Sequence, residues 1–283
     1  MRFFAIFKIV VLLSLICIAD DQNQTINLEE KEKSPIKYGA GVAYVSLPHY
    51  IGSDQTHRII FPYPKIETKH FILEDDGSIL RLFQNETYKI DMTASGRLPV
   101  YPGEEGKEEE KGVEFIKPSE KNRLRAGLNE LSVVMLVGVE FISDPNEYIN
   151  IEIPFYKGRA IGESTDVGYV FSPKLEFKLL KDGYKNHKLN IHINHMYATQ
   201  EYNRYYYGIE KRYINSIHTK EYLPVGGLVY QRYGFSYEYK FSLEKKLGLY
   251  FSKYDMSNSV VKESTLIANE ISSSMILFYS MFF

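Results

Sequence analysis

His192 lies between Asn190 and Asn194 on the polar face of one alternating segment, Leu189 to Asn194. A His beside amide side chains on a β-surface could act as a general base. That chemistry needs a serine within hydrogen-bond reach and a third group to orient the ring. No serine spacing ties one to His192, so a polar lumen residue is the favoured reading. His192 and His195 are three apart on a strand, so they face opposite sides and cannot share a metal ion. His49 and His57 flank one loop and could approach, yet two imidazoles without a third ligand make no site. No structural metal and no cofactor are expected. Gly39, Gly41, Gly52, Gly226 and Gly227 lack the strand-loop-helix context and lysine of a phosphate-binding loop. In β-structure they mark bulges, bends or close packing. Arg97, Lys121, Arg123 and Arg125 could line a pore or meet anionic lipid head groups; a solvated rim is the favoured reading.

The elements that would position these residues are strands. Ile149, Ile151, Ile153 and Phe155 alternate with Asn150, Glu152 and Pro154. The same period of two runs through Phe171–Leu179, Leu189–Asn194 and Phe235–Glu244. Met275, Leu277, Tyr279, Met281 and Phe283 share one face, and Ile276, Phe278, Ser280 and Phe282 share the other. Each segment is close to the roughly 9–11 residues of a tilted membrane strand. Charges interrupt every apolar run after residue 19, so a membrane form must be a barrel. The chain has 24 Tyr and 17 Phe but no Trp, and tyrosine alone can build the interfacial girdles of a barrel.

Residues 1–19 read as a secretory signal peptide: Arg2 and Lys8, then an apolar run, then Cys17-Ile18-Ala19. Cys17 is the only cysteine. Ser14-Leu15-Ile16 lacks the small residue that precedes a lipidated cysteine. Cleavage after Ala19 leaves no thiol for disulfide, metal or nucleophile. It also leaves 32 basic against 36 acidic residues, a net charge of about −4, with no basic excess for nucleic acid. Residues 20–36 read as a flexible periplasmic leader and 37–283 as one barrel domain.

The expected fold is an all-β, antiparallel transmembrane β-barrel of about 12 strands, with 10–14 possible. The segments fall near 38–46, 56–67, 70–83, 87–99, 131–142, 147–159, 168–180, 186–196, 222–231, 234–244, 246–254 and 270–283. Turns are expected at Asp144-Pro145-Asn146, Lys181-Asp182-Gly183 and Leu243–Lys246. An even count puts both termini on the periplasmic side. By strict parity the two long connections, 100–130 and 197–221, then fall on that side too. That conflicts with the usual short periplasmic turns. Either a strand is miscounted or the barrel carries unusual periplasmic elements. Glu104 to Glu110 within the first connection is an acidic run of the kind that is usually a solvated loop.

The order of local motifs resembles the MipA/OmpV family of outer-membrane proteins. Tyr38 to Ala43 is followed by Pro48-His49-Tyr50-Ile51-Gly52-Ser53, and Pro62-Tyr63-Pro64 by Ser95-Gly96-Arg97. Then come Leu124 to Glu130 and Tyr202-Asn203-Arg204-Tyr205-Tyr206-Tyr207-Gly208. Pro48, Tyr50, Gly52, Ser53, Gly96, Arg97, Tyr202, Tyr205 and Gly208 are taken as structural motif positions. The chain departs from the family in lacking tryptophan and in its charged insert at 102–122.

The resemblance implies an integral outer-membrane barrel in contact with outer-membrane lipid and lipopolysaccharide. It implies a non-enzymatic scaffold or interaction protein joining a murein-degrading lytic transglycosylase to a penicillin-binding protein. It also implies that the strand Met275, Leu277, Tyr279, Met281, Phe283 closes the barrel and is its assembly signal. A small-solute diffusion channel is the alternative, motivated by Lys174, Glu176, Lys178, Glu238, Lys240 and Glu244 on a polar inner face. An outer-membrane lipid hydrolase built on His192 is the remote one.

Overall fold

The computed structural model describes residues 36–74, 77–103, 114–115, 121–162, 165–180 and 186–283. The expected signal peptide and nearly all of the leader lie outside them. Twelve antiparallel strands close into a barrel. The first five are β1 (Lys37–Pro48), β2 (Thr56–Glu67), β3 (Phe71–Glu74), β4 (Gly77–Gln84) and β5 (Tyr88–Arg97). Next come β6 (Val134–Asn146), β7 (Ile149–Ala160) and β8, which has two halves, Asp166–Phe171 and Lys174–Leu180. Then follow β9 (His187–Ala198), the helix α1 (Gln200–Tyr207), β10 (Gly227–Lys240), β11 (Lys245–Asp255) and β12 (Ile271–Phe282). β12 pairs with β11 on one side and with β1 on the other, from Gly39 opposite Phe282 to Ser46 opposite Met275.

Alternation decides which side chains meet lipid. Val137, Val139 and Phe141 on β6, and Met275 and Leu277 on β12, are exposed. On the opposite, lumen-facing parity Leu136, Ser274, Phe278 and Ser280 are buried. Aromatic pairs cap the outer face at both ends: Tyr88 stacks on Phe141 at 5.6 Å, and Phe155 on Tyr169 at 5.5 Å. Such belts are where amphipathic rings are most favourable.

β8 breaks at Ser172-Pro173, where proline has no N–H for the ladder. Asn194 on β9 repairs the break: its Nδ2 donates to the carbonyl oxygens of Ser172 (2.7 Å) and Pro173 (2.9 Å). β2 has a similar irregularity. It pairs along its whole length with β1, but with β3 only through Ile66 and Glu67. Residues 114–115 pair in parallel with Ile59 and Ile60. Pro62 and Pro64 are two apart, so their missing N–H groups point to the same edge. The β1 ladder is continuous, so that edge is the one away from β1. Proline suits such an edge.

Two strand assignments differ from the expectation, and they cancel in the count. The segment 70–83 is two strands, because the chain turns before Gly77. That glycine has φ +144° and lies against the Ala94 carbonyl. Apolar residues on both sides masked this turn in the sequence. The segments 222–231 and 234–244 are instead one strand, β10. Gly234 is mid-strand, where the missing Cβ admits the His192 ring and the Phe251 carbonyl. The total stays at twelve, but every strand between these points runs in the opposite direction to that expected.

The consequence is topological. Connections 68–70, 85–87, 147–148 and 241–244 lie at the end holding Lys37 and Phe282, and all are short. Connections 49–55, 98–133, 199–226 and 256–270 lie at the other end. The two long connections are therefore extracellular by the ordinary rule of barrels, and of the two alternatives left by strict parity it is the strand assignment that is at fault. Asn146 makes its turn through its Oδ1, which accepts from the N–H groups of Tyr148 and Ile149. Asp144 and Pro145, expected in that turn, end β6 instead. The turn expected at Lys181 lies outside the described residues.

Leu277 sits mid-strand on the lipid face. Leu277→Arg should destabilise the folded barrel by about 2–4 kcal/mol, read by urea unfolding in lipid vesicles. Ser252→Ala, on the lumen face, should cost far less in the same assay.

Candidate functional site

The described residues of four extracellular connections pack together against the upper barrel wall, as a plug in the mouth. Tyr50, Val100, Leu128, Leu131, Tyr202, Tyr206, Tyr207, Ile209, Met256, Val261 and Leu266 form one buried apolar cluster with Val134, Leu136, Met196 and Tyr230 from the barrel wall. Backbone groups buried by this packing need partners, and side chains supply them. Tyr50 donates its hydroxyl hydrogen to the Leu266 carbonyl (2.8 Å) and Tyr207 to that of Ile51 (3.0 Å). Ser264 donates to the Tyr207 carbonyl (2.8 Å) and Asn203 to that of Val225 (2.7 Å). Each of these bonds joins two different connections or two ends of one.

The resemblance-derived positions converge here. Pro48 ends β1. Gly52 turns with φ +95° against Met256 and Ile267. Ser53 accepts from Asn122 Nδ2 (2.9 Å), which also meets His49 Nδ1 (3.1 Å). Tyr202 and Tyr205 lie on α1, and Gly208 ends that helix with its N–H on the Arg204 carbonyl. Gly96 and Arg97 end β5 directly below. Separate weak motifs in the sequence are thus one packed body in space. Met275, Leu277, Tyr279 and Met281 lie on the outer face of β12, and Phe283 follows at the periplasmic end, its N–H on the Tyr38 carbonyl.

The basic group expected at a solvated rim divides three ways. Arg123 pairs with Asp54 at the exposed mouth, and the Lys121 carbonyl accepts from Gln55. Arg125 is buried, donating to the carbonyls of Tyr206 (3.2 Å) and Asn129 (3.0 Å), which corrects the rim reading for that residue. Arg97, at the end of β5, has the inward parity of Asp91 and Thr93, and its side chain is exposed.

Below the plug the lumen wall is charged and internally matched. Lys174 bridges Glu152 and Glu176, both at 3.0 Å. Asp144 holds Lys178 (2.6 Å) and Lys89 (3.3 Å). Lys246 lies between Glu74 and Glu238 at 3.9 and 3.8 Å, Lys65 pairs with Glu74 (3.0 Å), and Arg81 pairs with Asp91 (3.3 Å). Asn190 donates to Glu176 (2.7 Å). Glu244 is exposed in the turn after β10, and Lys240 ends that strand. Along β1, β2 and β12, a second apolar cluster of Ala43, Val45, Tyr63 and Phe278 lines one side of the lumen, with Tyr250 stacked on Phe278 at 5.5 Å.

Tertiary pairing supplies the serine that the sequence could not tie to His192. Ser252 on β11 places its Oγ 3.3 Å from His192 Nε2. The contact alone makes no nucleophile, because a third group must also orient the ring. Among the described residues no carboxylate is hydrogen-bonded to this His. His192 and His195 face opposite sides, and no group of three His, Asp or Glu is placed to hold a metal among the described residues.

Residues 39–283 match the family described as MltA-interacting protein MipA. This chain belongs to the MipA family. It is an integral outer-membrane β-barrel. No curated protein matches it. Among solved structures it is similar to an outer-membrane channel from Pseudomonas putida F1, with 9% identity and a TM-score of 0.45 over 91% of this chain and 100% of that one. It is also similar to LpxR from Salmonella typhimurium, with 8% identity and a TM-score of 0.37 over 87% of this chain and 100% of that one.

His49 stacks on His57 in the MipA-family plug, ring centroids 4.0 Å apart. Burial, reinforced by the His57 charge, holds the His49 imidazole down to about 3 from an ordinary 6.5. Between those values the unfolded chain binds the proton and the folded plug does not. Plug stability is therefore full above about pH 6.5 and falls as pH drops toward 3. Burial pushes His218, in the same plug, in the same direction. Hydrogen exchange of residues 49–55, corrected for intrinsic rate, should be faster at pH 5 than at pH 7.5. His49→Gln should shrink that difference.

Proposed function

We propose that this MipA-family barrel is a non-enzymatic, non-conducting interaction protein that docks murein enzymes at its periplasmic end. The observation that carries this reading is the stoppered mouth. A channel needs a continuous wet path, whereas here the outer mouth is packed by side chains from four connections. The family's description as an MltA-interacting protein supports a murein enzyme as partner. A lytic transglycosylase and a penicillin-binding protein are the two classes it favours.

The described residues of the 98–133 connection belong to the outer mouth, so a periplasmic enzyme would meet the short turns at 68–70, 85–87 and 147–148. The full barrel should capture a lytic transglycosylase or a penicillin-binding protein from solubilised envelopes. Deleting residues 104–113 should leave that capture intact, and replacing the turns at 68–70 and 85–87 with Gly-Ser should weaken it at least fivefold. Planar bilayers should show no steady conductance. Steady conductance by the intact barrel, or recovery of no murein enzyme, would sink the reading.

We further propose that the outer face of β12, with Phe283, is read by the assembly machinery. Deleting Phe283 should lower the amount of assembled barrel while leaving its unfolding midpoint nearly unchanged. Normal accumulation in the outer membrane would remove that role.

A further inference from the structure

The charge matching of the lumen fails at two points. The ion pairs of the lumen wall join six bases to six acids. Arg97 on β5 and Arg232 on β10 also point inward, and neither has a carboxylate partner among the described residues. Arg232 Nε is buried with no hydrogen-bond partner there. Arg97 lies among protein groups, yet its side chain keeps exposed surface.

Tyrosines complete the surroundings. The Tyr230 hydroxyl is within hydrogen-bonding reach of Arg97, and both arginines act on it electrostatically. Tyr202 and Tyr206 come down from α1, their rings 4.7 Å apart, and Tyr254 meets Tyr230 edge-on at 5.1 Å. All four tyrosines lie in the field of Arg97. A guanidinium atom buried without a partner, as Arg232 Nε is, is costly, and a second cation near the same phenol adds to that cost. The planar guanidinium fork matches the paired oxygens of a carboxylate or phosphate. The phenol rings themselves pack in the plug, and their hydroxyls suit the hydroxyl groups of a sugar.

We propose that Arg97 and Arg232, with Tyr202, Tyr206, Tyr230 and Tyr254, form a lumenal binding site beneath the plug for a small sugar acid, its carboxylate or phosphate oxygens held by the guanidiniums. The site is independent of the docking role. It gives the capped barrel a ligand-carrying chamber, which neither a scaffold nor an open pore requires.

The chain has no tryptophan, so tyrosine fluorescence of the detergent-solubilised mature barrel reports on this cluster directly; calorimetry gives the affinity. Glucuronate, glucose 6-phosphate and inorganic phosphate are the anionic probes, and glucose is the neutral control. Binding of glucuronate alone would identify a carboxylate site, and binding of glucose 6-phosphate alone a phosphate site; either supports the proposal. Arg97→Gln and Arg232→Gln should each weaken binding at least tenfold, and Arg97→Lys by less. Heat-modifiable gel migration confirms that each variant is folded. Failure of the folded wild type to bind any anionic probe would overturn the proposal. So would undiminished binding by a folded Arg97→Gln/Arg232→Gln variant, or glucose binding as tight as glucuronate. Binding that appears only after residues 104–113 are deleted would also overturn it, by assigning the counter-ion to the chain's own acidic run.

Discussion

Lipid offers no hydrogen bonds, so a sheet placed in it can have no open edge. An unpaired N–H or C=O there costs several kcal/mol, and a strand has one every residue. The ladder between β1 and β12 meets this constraint by joining the two ends of the sheet. Strand number must then be even if both termini lie on one side. From that evenness follows which connections cross which mouth. The irregular places show the same constraint met locally. Asn194 covers the carbonyls freed at the β8 break, and Pro62 and Pro64 remove donors from an edge where β2 has no long antiparallel partner.

Closure explains why the core of this protein is not in the middle of the barrel wall. A strand has two faces, and here lipid takes one. The apolar residues that a soluble sheet would bury are spent on the outside as Val137, Val139, Phe141, Met275 and Leu277. The packed apolar core is assembled instead from connections and from the upper ends of strands, with tyrosine as its main residue. Tyrosine suits that place because its ring packs and its hydroxyl satisfies a loop carbonyl, as Tyr50 and Tyr207 do. The lumen below cannot be apolar, since the plug does not fill it, and cannot carry unpaired charge cheaply. Its ladder of lysines and carboxylates answers both demands. Arg97 and Arg232 stand outside that ladder.

Much of this was legible in the chain. Period two, segment length and the absence of a long apolar helix gave a twelve-stranded barrel. The order of Pro48, Tyr50, Gly52, Gly96, Arg97, Tyr202 and Gly208 gave the family. The sidedness was not legible, for a local reason. The turn before Gly77 sits between two apolar runs that read as one strand, and Gly234 sits mid-strand where glycine reads as a turn. Each error is one hairpin, yet each reverses the direction of everything after it. The two cancelled in number and so left no trace in the count. The conflict between long connections and periplasmic placement was their one visible sign.

The sequence by itself determined what each residue can touch within its own strand: which side chains face lipid, which face the lumen, and that the wall must close. Those properties depend on a period of two and on the solvent, both local. The tertiary structure decided what meets across the barrel. Ser252 comes within reach of His192 from 60 residues away, Arg125 is drawn into the plug, and Arg97 and Arg232 share the field of Tyr230. These meetings depend on register and strand direction summed around the whole ring. No short stretch of chain contains that sum.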